Sequence, residues 1–118
     1  MHTVLIIDDS TGFRTQARAL LEAEGFIVIG ESADGISGLA DARLLRPDLV
    51  LLDIGLPDIE GFDVARELAS DRSPPIVLLI SSREAAEYGP RLASSGAGGF
   101  IAKEDLSGAA IRAMVGRA

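Results

Sequence analysis

The sequence predicts an α/β domain built on one parallel sheet, and three observations carry that prediction. Five short apolar runs recur along the chain, at Val4–Ile7, Phe26–Ile29, Leu49–Leu52, Ile76–Ile80 and Phe100–Ala102. The runs are near-continuous rather than alternating, the pattern of strands buried on both faces. Between them lie segments with helical start and stop signals, so that strand and helix alternate and the crossovers are right-handed.

The elements follow in order. After the first run, Ser10 or Thr11 can cap a helix that sets Phe13, Ala17, Leu20 and Leu21 on one face, with Gly25 suited to the position past its end. Asp34 can cap a second helix carrying Ile36, Leu39, Ala40 and Leu44. That helix stops near Arg46, because Pro47 disfavours helical geometry in the residue before it. The third opens near Glu60 or Gly61, turns Val64, Ala65 and Leu68 inward, and ends in the turn at Asp71 to Pro75. The fourth segment, Arg83 to Ser95, contains Pro90, which is not accommodated deep inside a helix, so a helix here is expected to begin only at Pro90. Ser107 is a cap for a short last helix through Ile111, Met114 and Val115 that runs to the chain terminus.

At 118 residues the chain is expected to be one domain, 1–118, without internal repeat or linker. A hydrophobic fraction of 47% with 25% charged residues is that of a soluble globular protein. Cysteine is absent, which excludes a disulfide framework, a thiolate metal site and a cysteine nucleophile. The apolar stretch before Asp8 is too short for a secretory leader or a membrane span, so a cytoplasmic protein without membrane contact is expected. A formal net charge of -7 disfavours direct contact with nucleic acid, which calls for a clustered basic face.

In open parallel sheets ligands bind beyond the carboxyl ends of the strands, so the residue after each run is the one to inspect. Asp8 and Asp9 follow the first run, Asp53 the third, Ser81 and Ser82 the fourth, and Lys103 the fifth. Singly, each has an ordinary structural use: a polar strand exit, a helix cap, a solvated lysine. Together they put three carboxylates, a hydroxyl and an ammonium on one sheet edge. Converging carboxylates repel and raise one another's pKa unless a cation intervenes. Magnesium suits them, since it takes one or two carboxylates and keeps other positions for water and phosphate oxygens. With no cysteine and His2 as the single histidine, the nitrogen and sulfur donors that zinc favours are missing, and a zinc site is not expected. Lysine and hydroxyl complete a phosphate site, and an aspartate can be the nucleophile that forms an aspartyl phosphate.

These features, taken as ordered motifs, resemble the receiver domain of bacterial two-component response regulators over the whole chain. They are Ile6-Ile7-Asp8-Asp9-Ser10, Pro47-Asp48-Leu49-Val50-Leu51-Leu52-Asp53-Ile54-Gly55-Leu56-Pro57 with Gly61, Ile80-Ser81-Ser82, and Gly96-Ala97-Gly98-Gly99-Phe100-Ile101-Ala102-Lys103. The resemblance implies a doubly wound, flavodoxin-like sheet of five strands in the order 2-1-3-4-5 flanked by five helices. It implies that Asp53 accepts a phosphoryl group from a histidine kinase or phosphotransfer protein. Asp9, Asp53 and the carbonyl of Gly55 would bind Mg2+, with Asp8 supporting the ion through water. Lys103 would pair with the phosphoryl group, Ser81 would be the switch hydroxyl, and Phe100 the aromatic residue that responds. The output face would be built from the fourth helix, fifth strand and fifth helix, read by a downstream protein or an attached output domain, with a homodimer on phosphorylation as a further expectation. Two departures stand out: Glu104 replaces the proline that often follows the lysine, and Phe100 lacks the hydroxyl of the commoner tyrosine.

An enzyme is the first rival reading. A phosphohydrolase with an aspartate nucleophile wants a second acid two residues on, whereas Ser10 stands there after Asp8 and Asp9, and a cap domain has no room. The second rival, a receiver-like interaction module that is never phosphorylated, has no need of Asp9, Asp53, Ser81 and Lys103 together. The chain is therefore expected to be a signalling module and not an enzyme, either free-standing or part of a longer DNA-binding regulator.

Overall fold

In the computed structural model, which describes residues 2–116, five strands form one parallel sheet. They are β1 (Thr3–Ile7), β2 (Ile27–Ser32), β3 (Leu49–Asp53), β4 (Ile76–Ser81) and β5 (Gly99–Ala102), in the order β2-β1-β3-β4-β5. The helices are α1 (Thr11–Ala23), α2 (Gly35–Leu45), α3 (Gly61–Ala69), α4 (Arg91–Ser94) and α5 (Gly108–Val115). The expected domain limits at Met1 and Ala118 lie outside the described residues.

The continuous apolar runs feed two cores, because successive side chains of a strand point to opposite faces. Val4, Ile6, Leu49, Leu51, Leu78 and Ile80 meet Ala17 and Leu21 of α1 and Ile111 and Val115 of α5 on one face. Leu5, Ile7, Val50, Leu52, Val77 and Leu79 meet Ala42 of α2 and Phe62, Val64, Ala65 and Leu68 of α3 on the other. The capping expectations hold in detail. Ser10 accepts from the Phe13 N–H and Ser107 from the Ala110 N–H. At the end of α1, the Gly25 N–H reaches the Glu22 carbonyl and the Phe26 N–H the Leu21 carbonyl, with Phe26 and Leu21 in the same core. Arg46 ends α2 in the left-handed conformation, φ 51°, immediately before Pro47.

Four expectations are corrected. β2 begins after Phe26 and continues through Gly30, Glu31 and Ser32. As an edge strand it has only β1 to pair with and is mostly half-buried or exposed, so its polar end did not register as strand; an extra residue also shifts its register opposite Val4 and Leu5. On α1, Leu20 is only half-buried, while Ala17 and Leu21 carry the contact. On α2 the expected face is reversed: Ile36 is 63% exposed, Leu44 77% exposed and Ala40 exposed, while Gly35, Gly38 and Ala42 are buried and Leu39 packs at the core margin. The helix lies so close to β1 that a Cβ on Gly38 would fall 2.7 Å from Ile7 Cδ1, which leaves room inside only for small residues. The fourth helical segment does start at Pro90, but it shrinks to the single turn of α4, preceded by a 3-10 turn at Ala85–Glu87.

Among the described residues, no helix is long and apolar enough to cross a membrane.

Candidate phosphoacceptor site

The sheet order reverses between β1 and β3, because α1 carries the chain from β1 to β2 on one side and α3 carries it from β3 to β4 on the other, and such a reversal opens a crevice at the carboxyl ends of the two strands. Asp8 and Asp9 leave β1 there, and Asp53 is the last residue of β3. Asp8, Asp9 and Asp53 each offer a carboxylate oxygen within 4.8 Å of the others; Asp8 and Asp53 are buried and Asp9 exposed. Lys103, in the 3-10 turn Lys103–Asp105 just after β5, sets its Nζ 2.7 Å from Asp8 Oδ2 and 3.7 Å from Asp53 Oδ2. The ammonium rests 4.3 Å from the centre of the Phe13 ring, which holds it over the acids from the α1 side.

Each carboxylate is tied differently. Asp8 Oδ1 accepts the Ser10 N–H at 2.8 Å, and its carbonyl accepts Arg14 Nη1 at 2.6 Å. Asp8 Oδ2 is fully buried, and the Lys103 ammonium at 2.7 Å is its neighbour of opposite charge. Asp53 Oδ1 accepts the Gly55 N–H at 3.3 Å. Burial above all, then the charge of Asp8 and more weakly that of Asp9, raise the Asp53 carboxyl to about 6, against the pull of Lys103 and the Gly55 N–H. Three carboxylates converging on one ammonium leave the cluster over-acidic, the condition a hard, oxygen-seeking cation relieves, so the residues present fit Mg2+.

The loop after β3 is shaped by Gly61. A Cβ there would fall 2.3 Å from the Asp53 carbonyl oxygen and 2.8 Å from Ile54 Cα, so the first turn of α3 lies directly against the backbone that carries Asp53. Asp58 accepts the Gly35 and Ile36 N–H groups at 2.7 and 2.8 Å, which ties that loop to the start of α2.

Of the residues singled out in the sequence, Asp8, Asp9, Asp53 and Lys103 come together as expected. Ser81 ends β4, and its Oγ accepts the Arg83 N–H at 3.0 Å and lies 2.5 Å from the Tyr88 hydroxyl. Gly55 is exposed beside Asp53. Phe100 on β5 is half-buried and meets the Tyr88 ring at 6.1 Å. Three contributors are not signalled by the strand-end pattern: Phe13 and Arg14 under the acids, and Tyr88 on Ser81. For Tyr88 one signal was available, since it is the single tyrosine of the chain. A cleft of about 810 Å3 opens elsewhere, between the end of α2 and the loop after α3 at the opposite edge of the sheet.

The family model of the response regulator receiver domain matches residues 4–115. The chain is 44% identical over 102 residues to BvgA of Bordetella pertussis, named for positive transcription regulation of virulence factors, covering 86% of this chain and 49% of that protein. It is 39% identical over 108 residues to a protein-glutamate methylesterase/protein-glutamine glutaminase of Anaeromyxobacter dehalogenans, covering 91% of this chain and 31% of that protein. The chain thus spans about half the length, or less, of these curated relatives. Among solved structures, a chain of the CheX–CheY–BeF3–Mg2+ complex of Borrelia burgdorferi superposes with a TM-score of 0.84 at 28% identity, covering 97% of this chain and 86% of that one.

Proposed function

Because the chain belongs to the response regulator receiver family of two-component signalling, we propose that residues 1–118 act as a receiver domain in which Asp53 accepts the phosphoryl group. The observation that carries this reading is the meeting of Asp8, Asp9 and Asp53 with the Lys103 ammonium at the β1/β3 crevice.

In the transfer, an Asp53 carboxylate oxygen attacks phosphorus, the bond from phosphorus to the donor nitrogen of a phosphohistidine breaks, and that electron pair stays with the departing imidazole. Lys103 lies within reach of Asp53 and pairs with the incoming phosphoryl oxygens, while Ser81 offers them its hydroxyl. Asp9, Asp53 and the Gly55 carbonyl would hold Mg2+, with Asp8 supporting it through water. The bound ion supplies charge neutralisation for the transferred group. The similarity to a chain of the Borrelia complex, which contains BeF3 and Mg2+, supports a Mg2+-assisted phosphoryl site here.

The donor is a sensor histidine kinase or phosphotransfer protein. The readout passes through α4, β5 and α5 to a downstream protein or an attached output domain, with homodimerisation on phosphorylation as one form it takes. The domain itself acts in the cytoplasm as a switch rather than an enzyme, and contacts neither nucleic acid nor membrane. Incubation with acetyl phosphate and Mg2+, followed by intact mass measurement, is expected to show one added phosphate that is lost in Asp53→Ala. No addition, or equal addition in the variant, would refute the assignment.

A further inference from the structure

Tyr88, in the loop between β4 and α4, touches the site through an atom that phosphorylation of Asp53 leaves unexplained. Its hydroxyl lies 2.5 Å from Ser81 Oγ, and the other partner of Ser81 Oγ is the Arg83 N–H at 3.0 Å. Both partners belong to the loop that follows β4, and among the described residues neither bond reaches the acids. The phenol ring is held in place by other aromatics: it stands edge-on to Phe62 of α3 at 5.5 Å and 73°, and tilted against Phe100 of β5 at 6.1 Å and 60°. The Arg91 guanidinium lies over the Phe62 ring, 4.3 Å from its centre, and Arg91 in turn binds Glu60 at 2.8 Å. The loop is thereby clamped to the start of α3.

We infer that Tyr88 is a positioning residue for phosphorylation: in the resting protein its phenol holds the Ser81 hydroxyl on the loop side, and a phosphoryl group on Asp53 must take that hydroxyl from it. The inference rests on the reading of Asp53 as acceptor and Ser81 as the hydroxyl that meets the phosphoryl group. A serine hydroxyl has one hydrogen and one rotatable bond, and phosphoryl oxygens only accept. The Ser81–Tyr88 bond can run in either direction, and with Ser81 as its donor the one hydroxyl hydrogen is committed to the phenol oxygen, so that engaging the phosphoryl oxygens means giving up Tyr88. A charged acceptor outcompetes a neutral phenol, so the exchange runs toward the phosphorylated arrangement, but it starts against the strength of the bond being broken.

The consequence extends to the loop. Once Ser81 turns, the Tyr88 hydroxyl is left half-buried between two hydrocarbon rings without that partner, which disfavours its resting position. Phe100 has no hydroxyl to take part, so the two halves of an aromatic switch are divided here: the hydroxyl comes from Tyr88 and the movable hydrocarbon face from Phe100.

The test uses beryllofluoride with Mg2+ as the phosphoryl mimic and calorimetry to measure its affinity. Tyr88→Phe keeps the stacked ring and removes only the hydroxyl, and is expected to bind the mimic about 2- to 10-fold more tightly than wild type, the range set by one neutral hydrogen bond. In a Ser81→Ala background the same substitution should change affinity less than about 2-fold, since the bond is already gone. With no tryptophan and one tyrosine in the chain, intrinsic emission reports on Tyr88 alone. It should change when wild type takes up the mimic, and in the same direction in metal-free Ser81→Ala. Equal affinities of wild type and Tyr88→Phe, or an equal gain in both backgrounds, overturn the role of Tyr88 while the Asp53 reading stands. A wild type that does not bind the mimic at all overturns both.

Discussion

Asp53 is placed where a carboxyl is both buried and needed as an anion. Burial, Asp8 and Asp9 together raise its pKa from 3.8 to about 6, and Lys103 and the Gly55 N–H only partly offset them. Between those two values the native protein keeps a proton that the unfolded chain has released. The contribution of Asp53 to stability is therefore most favourable below pH 3.8, falls as pH rises through about 6, and carries the full penalty above it. At about 1.36 kcal/mol per pKa unit the penalty is on the order of 1–3 kcal/mol. In metal-free buffer at pH 7.5, Asp53→Asn is expected to raise the unfolding free energy by about that amount, with the advantage gone near pH 3.8. Urea unfolding of both proteins at the two pH values checks it, and an advantage independent of pH would refute the electrostatic cause. The acids and the lysine were legible in the sequence because each directly follows an apolar run. Tyr88 was not, because its bond to Ser81 spans seven residues of irregular loop whose path no periodicity encodes.

At the scale of single elements, α3 and α2 show what sequence patterns leave out. The face of α3 was legible, since Val64 and Leu68 are large enough to announce burial and Ala65 falls between them. That of α2 was not, because close approach to β1 inverts the usual rule and buries glycines while Ile36 and Leu44 face solvent. Glycine identity therefore decides packing at such contacts. Gly61→Ala would drive a Cβ into the Asp53 carbonyl and is expected to destabilise by about 1–3 kcal/mol or more. Gly12→Ala on α1 meets nothing nearer than Ser10 Oγ at 4.0 Å and is expected to be neutral or to stabilise by a few tenths of a kcal/mol. Thermal or urea unfolding separates the two; a mild effect of Gly61→Ala would mean that the β3–α3 loop yields more easily than its packing indicates.

At the scale of the whole molecule, one sheet serves two cores, and every central strand contributes to both. Both layers were foreshadowed by the near-continuous apolar runs and the strand order by the resemblance alone, whereas the shortening of α4 followed from Pro90 only in outline. A shared sheet couples the layers. Leu21→Ala on one face and Leu68→Ala on the other are each expected to lower stability by about 2–5 kcal/mol in a single transition with unchanged m. Circular dichroism and Tyr88 emission should coincide in both variants, and separate midpoints would show that the layers unfold independently. The same sheet ends in two open edges, and β2 bears on what happens there. Its ladder to β1 is interrupted by the extra residue opposite Val4 and Leu5, an insertion of the kind that bends a strand, and its Glu31 is clasped by Arg14 at 3.1 Å and Arg18 at 2.7 Å. A bent strand carrying a fixed cluster of charge is a poor template for a strand from another molecule. The polar stretch that broke the apolar pattern of β2 thus protects the protein from polymerising edge to edge when it is concentrated.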